Sequence, residues 1–182
     1  SLIALVPHKD PENMVRAAAI VMKESPRVHF LLAGEGPLAE RTAHLARMLK
    51  IQDRFRIIGY RKDPYKVLAA LDLFVLSSCE EGMGSVLVEA MNAGLPIVAT
   101  TAGGITDVVE DGANGLTVPP RDHQALAAAW LRLVNDGELR SRLAAEAHRR
   151  REDFSSPRMA ALTLKCYEKA VEDLKRDRHP LE

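Results

Sequence analysis

The most informative stretch of this 182-residue chain is Glu-Gly-Met-Gly-Ser-Val-Leu-Val-Glu at residues 81–89. It follows an apolar, strand-like run at residues 71–76 and continues into a helical pattern that ends at Gly94. Two carboxylates therefore bracket a glycine-rich turn between a strand and a helix. A turn of this kind exposes backbone N–H groups at the positive end of a helix dipole.

The layout of this stretch indicates a class of ligand. Carboxylates repel phosphate but accept hydrogen bonds from sugar hydroxyls, whereas free amide groups at a helix start suit a phosphate. A ligand with hydroxyls at both ends and phosphate in the middle matches this arrangement. Nucleotide-sugars are ligands of that kind.

Apolar strand-like runs alternate with helical patterns along the first hundred residues. The alternation predicts an α/β fold, with a Rossmann-like parallel sheet flanked by helices. Most of the runs are almost continuously apolar, as expected when both faces of a sheet are covered. The predicted strands are Leu2–Val6, Val28–Ala33, Phe55–Ile58, Leu73–Leu76 and Ile97–Thr100.

Capping signals support the helices of this pattern. Asp10 and Asp63 each precede a proline, which is an N-cap followed by proline at the first helical position. Gly94 predicts the end of the helix that carries Glu89. Beyond residue 120 helices predominate, and the last has an apolar stripe that we expect either to cover the sheet or to reach a partner domain. These extra C-terminal helices are predicted at about 122–135, 138–151 and 157–175.

Composition excludes several classes of protein. Lys plus Arg and Asp plus Glu balance at 25 each, which argues against a nucleic-acid-binding protein because such proteins present a strongly basic face. No apolar run approaches the ~20 residues of a transmembrane helix. Cys79 and Cys166 lie far apart without metal-ligand spacing, and no signal peptide is visible, so we expect reduced thiols and a cytoplasmic protein.

The ends of the chain also lead to expectations. The sequence opens directly with an apolar strand pattern and no initiator methionine, which is typical of a fragment. We expect residues 1–175 to form one domain of a longer protein, with its first strand at the extreme N-terminus. Residues 176–182 are expected to be a frayed tail.

These motifs identify a family resemblance that covers residues 2–150. The chain resembles the C-terminal, donor-binding domain of glycosyltransferase family 4, the group 1 retaining glycosyltransferases of GT-B fold. Glu81 and Glu89 reproduce the family's pair of glutamates separated by seven residues. The other matching motifs occur in the family's order and are Gly34-Glu35-Gly36-Pro37, Ile58-Gly59-Tyr60, residues 72–78, residues 96–100, Gly103-Gly104-Ile105 and residues 111–116.

Two positions depart from the family pattern. Many members hold the donor pyrophosphate with an arginine and a lysine after the first strand, and here Lys9 matches the lysine but Ala4 replaces the arginine. Phosphate binding is then expected to depend more on Lys9 and backbone amides, or on another cation. Met83 replaces the usual aromatic residue of the turn, a milder change because the turn acts mainly through its backbone.

The resemblance implies a role for each candidate residue. Glu81 would bind a hydroxyl of the transferred sugar and Lys9 the leaving diphosphate, which makes them the candidate catalytic residues. Glu89 would accept hydrogen bonds from the ribose hydroxyls. The other candidate donor-binding residues are Gly82, Met83, Gly84, Ser85, Val86, Gly34, Gly36, Tyr60 and Arg61.

Each of these residues also has a purely structural interpretation. Glu81, Glu89 and Lys9 are alternatively solvated surface charges, and the glycine turn is alternatively a tight connection without a ligand. The pair Gly103-Gly104 either shapes the phosphate side of the pocket or is only a turn.

The resemblance further implies a metal-independent, retaining glycosyltransferase of hexosyltransferase type. Its substrate would be a UDP-, GDP- or ADP-sugar, with no other cofactor and no metal. The acceptor would bind to an N-terminal domain that this sequence lacks, so the chain alone is expected to bind nucleotide and to turn over nothing. Many such enzymes work at membrane surfaces. A non-hydrolysing sugar-nucleotide epimerase and a non-catalytic nucleotide-sugar sensing or assembly domain stay open as alternatives.

Overall fold

The computed structural model describes residues 1–177, and the predicted alternation of strands and helices is confirmed within them. The strands are β1 (Phe30–Ala33), β2 (Phe55–Gly59), β3 (Phe74–Leu76), β4 (Ile97–Thr100) and β5 (Leu116–Val118). The α-helices are α1 (Pro11–Glu24), α2 (Ala39–Met48), α3 (Pro64–Leu68), α4 (Ser85–Asn92), α5 (Ile105–Val108), α6 (His123–Asn135), α7 (Gly137–Arg150) and α8 (Ser156–Asp177). Two short 3₁₀ turns occupy Pro7–Lys9 and Arg151–Phe154.

All strand pairings are parallel, and they form a two-stranded sheet and a three-stranded sheet. Strand β1 pairs with β2, and β4 pairs with β3 on one side and β5 on the other. Every residue of β4 is buried, as expected for a central strand covered by helices on both faces. The predicted Rossmann-like α/β architecture is therefore confirmed.

The prediction of a regular first strand at Leu2–Val6 is wrong. Leu2 forms an isolated parallel bridge with Ala33, and the Leu5 N–H donates to the carbonyl of Glu35, beyond the end of β1. The Val6 N–H then turns back to the carbonyl of Ala4 at 3.0 Å. The Ala33 N–H of β1 donates to the Ser1 carbonyl and the Ile3 N–H donates to the Ala33 carbonyl. The Leu5 bond lies beyond the end of β1, so the segment forms no regular strand.

Strand β5 was not predicted. Its three residues, Leu-Thr-Val, are followed by two prolines, which end the run before an alternating pattern can be recognised. It exists through its register with β4, in which Leu116 lies opposite Val98 and Val118 opposite Thr100.

The helices begin where the capping signals predict. The Asp10 side chain accepts from the Asn13 N–H at 3.2 Å, and Asp63 accepts from the Lys66 N–H at 3.3 Å. Helix α1 packs on α6, and α4 packs on α7. Helix α1 buries an apolar stripe that consists of Met14, Val15, Ala18, Val21 and Met22. The helices predicted at 122–135 and 138–151 correspond to α6 and α7.

Helix α8 does not cover the sheet. Its apolar stripe is open to solvent, with Met159 64%, Tyr167 67% and Leu174 60% exposed, so that part of the prediction is wrong. Contact with a partner domain stays a prediction. Residues 176 and 177, expected in the frayed tail, belong to α8, and the rest of that tail, 178–182, lies outside the described residues. None of the helices within residues 1–177 has the length and apolar character needed to cross a bilayer.

Candidate functional site

Three loops meet at the carboxyl edge of the sheet. They are residues 7–10, residues 77–84 after β3 and residues 101–104 after β4. The Cys79 N–H donates to the His8 carbonyl at 2.8 Å, and the Gly104 N–H donates to the Glu81 carbonyl at 3.2 Å. Open α/β sheets bind their ligands at this edge, so the loops form a candidate site.

An ion pair between Lys9 and Glu81 lies at the centre of these loops. Lys9 Nζ contacts Glu81 Oε2, and the two side chains are only 18% and 11% exposed. Ser78 Oγ donates to the same carboxylate oxygen at 3.0 Å. The structure therefore brings the two candidate catalytic residues together, although they are 72 positions apart in the chain.

The surroundings of Glu81 keep its carboxyl group ionised. Partial burial acts to raise its pKa, but hydrogen bonds from Lys9 and Ser78, the charge of Lys9 and the Gly82 amide together lower the pKa below its usual value. A carboxylate that stays charged at neutral pH is a strong acceptor for the hydroxyl groups of a ligand.

Buried hydroxyl groups bond to the backbone beside this ion pair. Ser77 Oγ lies 2.9 Å from the carbonyl oxygens of both Lys9 and Asp10, and Thr100 Oγ1 donates to the Ser78 carbonyl at 2.5 Å. Ser77, Ser78 and Thr100 are fully buried, and the sequence analysis gave them no role at the site. A signal was available in the sequence, since two serines directly follow a buried strand. Buried hydroxyl groups require hydrogen-bond partners, so such serines are expected to bond to neighbouring loops.

The first turn of α4 presents free backbone donors. Gly84 is its N-cap with φ 72°, a left-handed conformation suited to glycine, and the Leu87 N–H bonds to the Gly84 carbonyl. Within residues 1–177, no acceptor faces the N–H groups of Met83, Ser85 and Val86. Together with the helix dipole, these donors suit an anion.

Glu89 lies on α4, which begins at Ser85 as predicted. Its side chain is half-buried, and its carboxylate forms no ion pair or hydrogen bond with the described residues. Its acceptor oxygens are therefore available to a ligand. The approach of a ligand to both Glu81 and Glu89 stays a prediction.

The pair Gly103-Gly104 makes backbone contact with this site. A Cβ atom on Gly103 would lie 2.0 Å from the backbone carbonyl oxygen of Glu81, and one on Gly104 would lie 1.9 Å from the backbone carbonyl oxygen of Gly82. Only residues without side chains allow the loop after β4 to approach so closely. The glycine pair therefore positions the Glu81–Gly82 segment.

Gly34 and Gly36 have a packing role in the structure. A Cβ atom on Gly34 would lie 1.8 Å from the Ile3 oxygen, and one on Gly36 would lie 2.5 Å from the Leu5 oxygen. The turn after β1 can therefore cross residues 2–6 only with glycine at these positions. Their predicted contact with a donor stays a prediction.

Tyr60 and Arg61 follow β2 and are both exposed. No ion pair or hydrogen bond within residues 1–177 joins them to Lys9, Glu81 or Glu89, so their role in donor binding stays a prediction. The described residues also contain no group of three or more His, Cys, Asp or Glu side chains placed to hold a metal ion.

Comparison with known proteins places the chain in a family context. The family described as "Glycosyl transferases group 1" matches residues 1–150. The lipopolysaccharide core biosynthesis glycosyltransferase LpsE of Rhizobium meliloti is 37% identical over 123 residues, which cover 68% of this chain and 36% of LpsE. The chain thus spans well under half the length of that relative.

Solved structures agree with this match. The crystal structure of Anabaena HepE in complex with UDP and glucose superposes with a TM-score of 0.79 at 28% identity, covering 93% of this chain and 46% of HepE. The C-terminal domain of a glycosyl transferase group 1 family protein, LpcC of Francisella tularensis, superposes with a TM-score of 0.73 at 25% identity. That match covers 81% of this chain and 80% of the LpcC domain.

Proposed function

Because this chain belongs to the glycosyl transferases group 1 family, we propose that it is the donor-binding part of a retaining glycosyltransferase. In this proposal residues 1–175 bind a nucleotide-diphosphate sugar at the carboxyl edge of the sheet, and the sugar passes to an acceptor hydroxyl. The observation that supports it best is the Lys9–Glu81 ion pair beside the backbone N–H groups at the start of α4. A cation, a carboxylate and free N–H groups are the three kinds of group that a sugar joined to a diphosphate requires.

The ion pair places a cation and a carboxylate side by side at the carboxyl edge. In the proposed complex Glu81 accepts a hydrogen bond from a hydroxyl of the sugar, while Lys9 turns toward the adjacent phosphate. Ser78 holds the Glu81 carboxylate and Ser77 holds the backbone carbonyl of Lys9, so the Glu81 side chain loses little conformational freedom when the ligand binds.

Glu89 is proposed to bind the other end of the donor. Its free carboxylate, about one turn into α4, would accept hydrogen bonds from the ribose hydroxyls. Charge-assisted hydrogen bonds of this kind contribute roughly 1.5–3 kcal/mol each.

Departure of the diphosphate is the step that these residues would favour. As the bond from the sugar to the diphosphate breaks, negative charge grows on the phosphate oxygens. Lys9 and the amides of Met83, Ser85 and Val86 would stabilise this charge electrostatically. In this proposal the backbone amides take over the role of the family's arginine, whose place Ala4 occupies here, and no metal is required.

The acceptor is proposed to bind outside this chain. The chain covers 36% of LpsE and 46% of HepE, so the remaining length of such a relative can supply a second domain. We expect the present chain to bind nucleotide and to catalyse no transfer by itself.

Calorimetric titration of the chain with UDP, GDP and ADP tests the proposal. Binding of at least one nucleotide is expected, and Glu89→Gln should weaken it about tenfold through the lost ribose contacts. Glu138→Gln, which changes an exposed glutamate on α7, is the matched control and should bind as the parent does. Heat changes absent for all three nucleotides at millimolar concentration would refute the proposed function.

A further inference from the structure

Arg121 lies in the turn between β5 and α6, at the carboxyl edge of the sheet. It follows two prolines and precedes Asp122, the N-cap of α6. The Asp122 carboxylate accepts from the N–H groups of Gln124 and Ala125 at 3.1 and 2.9 Å. The backbone is therefore held on both sides of Arg121, by the fixed φ of proline and by the helix cap.

The side chain of Arg121 extends from this turn to the candidate site. Its Nη2 atom donates to Cys79 Sγ at 3.9 Å, and Cys79 lies in the loop that carries Glu81. The Cys79 N–H in turn donates to the His8 carbonyl at 2.8 Å, directly before Lys9. Because β4 separates β3 from β5 and neighbouring strands lie roughly 4.8 Å apart, the side chain passes the end of β4 to reach this loop. Arg121 thus brings a guanidinium group to the loops that hold the ion pair.

Apart from Arg121, the side-chain charge of the candidate site is mostly negative. The three loops and α4 contain one lysine, Lys9, and four carboxylates, which are those of Asp10, Glu80, Glu81 and Glu89. These carboxylates repel a phosphate, and each cation close to the loops reduces that repulsion. Among the residues that the structure describes, Arg121 is the only lysine or arginine outside the three loops whose side chain hydrogen-bonds to them.

We propose that Arg121 is a second cation for the diphosphate of the sugar donor. The inference rests on the proposed function and adds one contact to it, beside the backbone amides that take the place of the arginine replaced by Ala4. A thiol sulfur is only a weak acceptor, so the charged oxygens of a phosphate would replace Cys79 as the partner of the guanidinium group. Arginine suits a phosphate, since its paired N–H donors match two phosphate oxygens.

The backbone conformation of Arg121 is an independent reason to give its side chain a role. Its φ is 63°, in the left-handed region where glycine is the least costly residue. Side chains held in this region concentrate at sites that bind ligands. Glycine would form the turn more easily, so the arginine is explained by the guanidinium group that it carries.

Arg121→Gly tests the proposal, because glycine keeps the left-handed turn and removes only the side chain. The affinity for UDP, GDP or ADP, whichever the parent binds best, should fall about tenfold in calorimetric titration, since one charge-assisted contact is lost. The stability in urea should stay close to that of the parent, whereas loss of a purely structural arginine would lower the stability and leave the affinity unchanged. Arg121→Lys should recover part of the affinity because it keeps the charge.

Lys50→Gly is the matched control. Lys50 is also a cation in the left-handed region, with φ 57°, but it lies between α2 and β2, away from the three loops. This variant should therefore bind nucleotide as the parent does. Equal affinities of the parent and Arg121→Gly for nucleotide, or an equal loss in Lys50→Gly, would overturn the inference and leave the proposed function intact.

Inorganic pyrophosphate separates failure of the inference from failure of the proposed function. It contains the diphosphate without base or sugar, so Arg121→Gly should weaken its binding about as much as that of the nucleotide. Binding of pyrophosphate that depends on Arg121, without binding of any nucleotide, would refute the proposed function and support the contact between Arg121 and phosphate. Absence of binding for pyrophosphate and for all three nucleotides would refute both.

Discussion

The two edges of the sheet obtain positive charge in different ways. At the carboxyl edge the first turn of α4 points its free N–H groups at the loops, and the cation at the centre of those loops, Lys9, is paired with Glu81. At the amino edge α1 and α6 end, and their carbonyls are capped by Arg54 and Arg140. Helix starts carry partial positive charge and helix ends partial negative charge.

The difference explains why the two edges need different numbers of cations. The backbone at the carboxyl edge already attracts an anion, so one lysine can suffice there even though Ala4 contributes no charge. The backbone at the amino edge carries partial negative charge, and Arg54 and Arg140 offset part of it as they cap α1 and α6. The direction of the parallel strands therefore determines how much side-chain charge each edge requires.

Gly104→Ala should have the largest effect, because it pushes apart two loops that form the carboxyl edge. The added Cβ would lie 1.9 Å from the Gly82 oxygen, and the loops at residues 81–82 and 103–104 must then separate. We expect a loss of roughly 3 kcal/mol in the free energy of unfolding, measured by urea denaturation, together with weaker binding of UDP.

Gly137→Ala is the matched control for this prediction. Gly137 begins α7, where the nearest atom to an added Cβ is 3.8 Å away on the Arg140 side chain, and alanine should keep or raise the stability. Equal stability of the Gly104→Ala protein and its parent would show that the glycine pair does not hold the site together.

Lys9→Met sharpens the comparison between the edges. It removes the central side-chain cation of the carboxyl edge, so the affinity for UDP should fall about tenfold to a hundredfold, as expected for one charge-assisted contact. Lys23→Met, at the exposed end of α1, should change little in the same calorimetric titration. An unchanged affinity in the Lys9→Met protein would mean that the amides of α4 hold the phosphates without Lys9.

Much of the fold could be predicted because its signals are local. Asp10 and Asp63 are caps that depend on residues three positions away, and the apolar stripe of α1 is a repeat within one helix. The failures depend on pairing over longer distances. Strand β5 exists through β4, and residues 2–6 pair with β1 only at Ala33 before the next hydrogen bond passes to Glu35.

The sequence supplied the candidate residues of the site but not the contacts between them. Lys9, Glu81 and Glu89 were identified by resemblance, yet the ion pair joins positions 72 residues apart, and no local pattern contains it. The supporting bond from Thr100 to Ser78 spans 22 residues. The cap that Arg54 places on α1 was missed for the same reason, since it joins positions 32 residues apart.

The pH dependence of stability should give the smallest effect and concerns the Lys9–Glu81 pair alone. Because the pKa of Glu81 is lowered in the folded protein, the unfolded chain binds its proton at a higher pH, and stability rises with pH in that range. The contribution of the pair is therefore present at neutral pH and is lost as the pH falls below about 4.3, the usual value for a glutamate. Glu81→Gln should be less stable than the parent at pH 7, and the difference should shrink toward pH 3 in urea denaturation. Glu80→Gln changes the exposed neighbour, and its stability should differ less from that of the parent and vary less with pH. A stability difference between Glu81→Gln and the parent that stays constant from pH 7 to pH 3 would show that the ion pair does not stabilise the carboxyl edge.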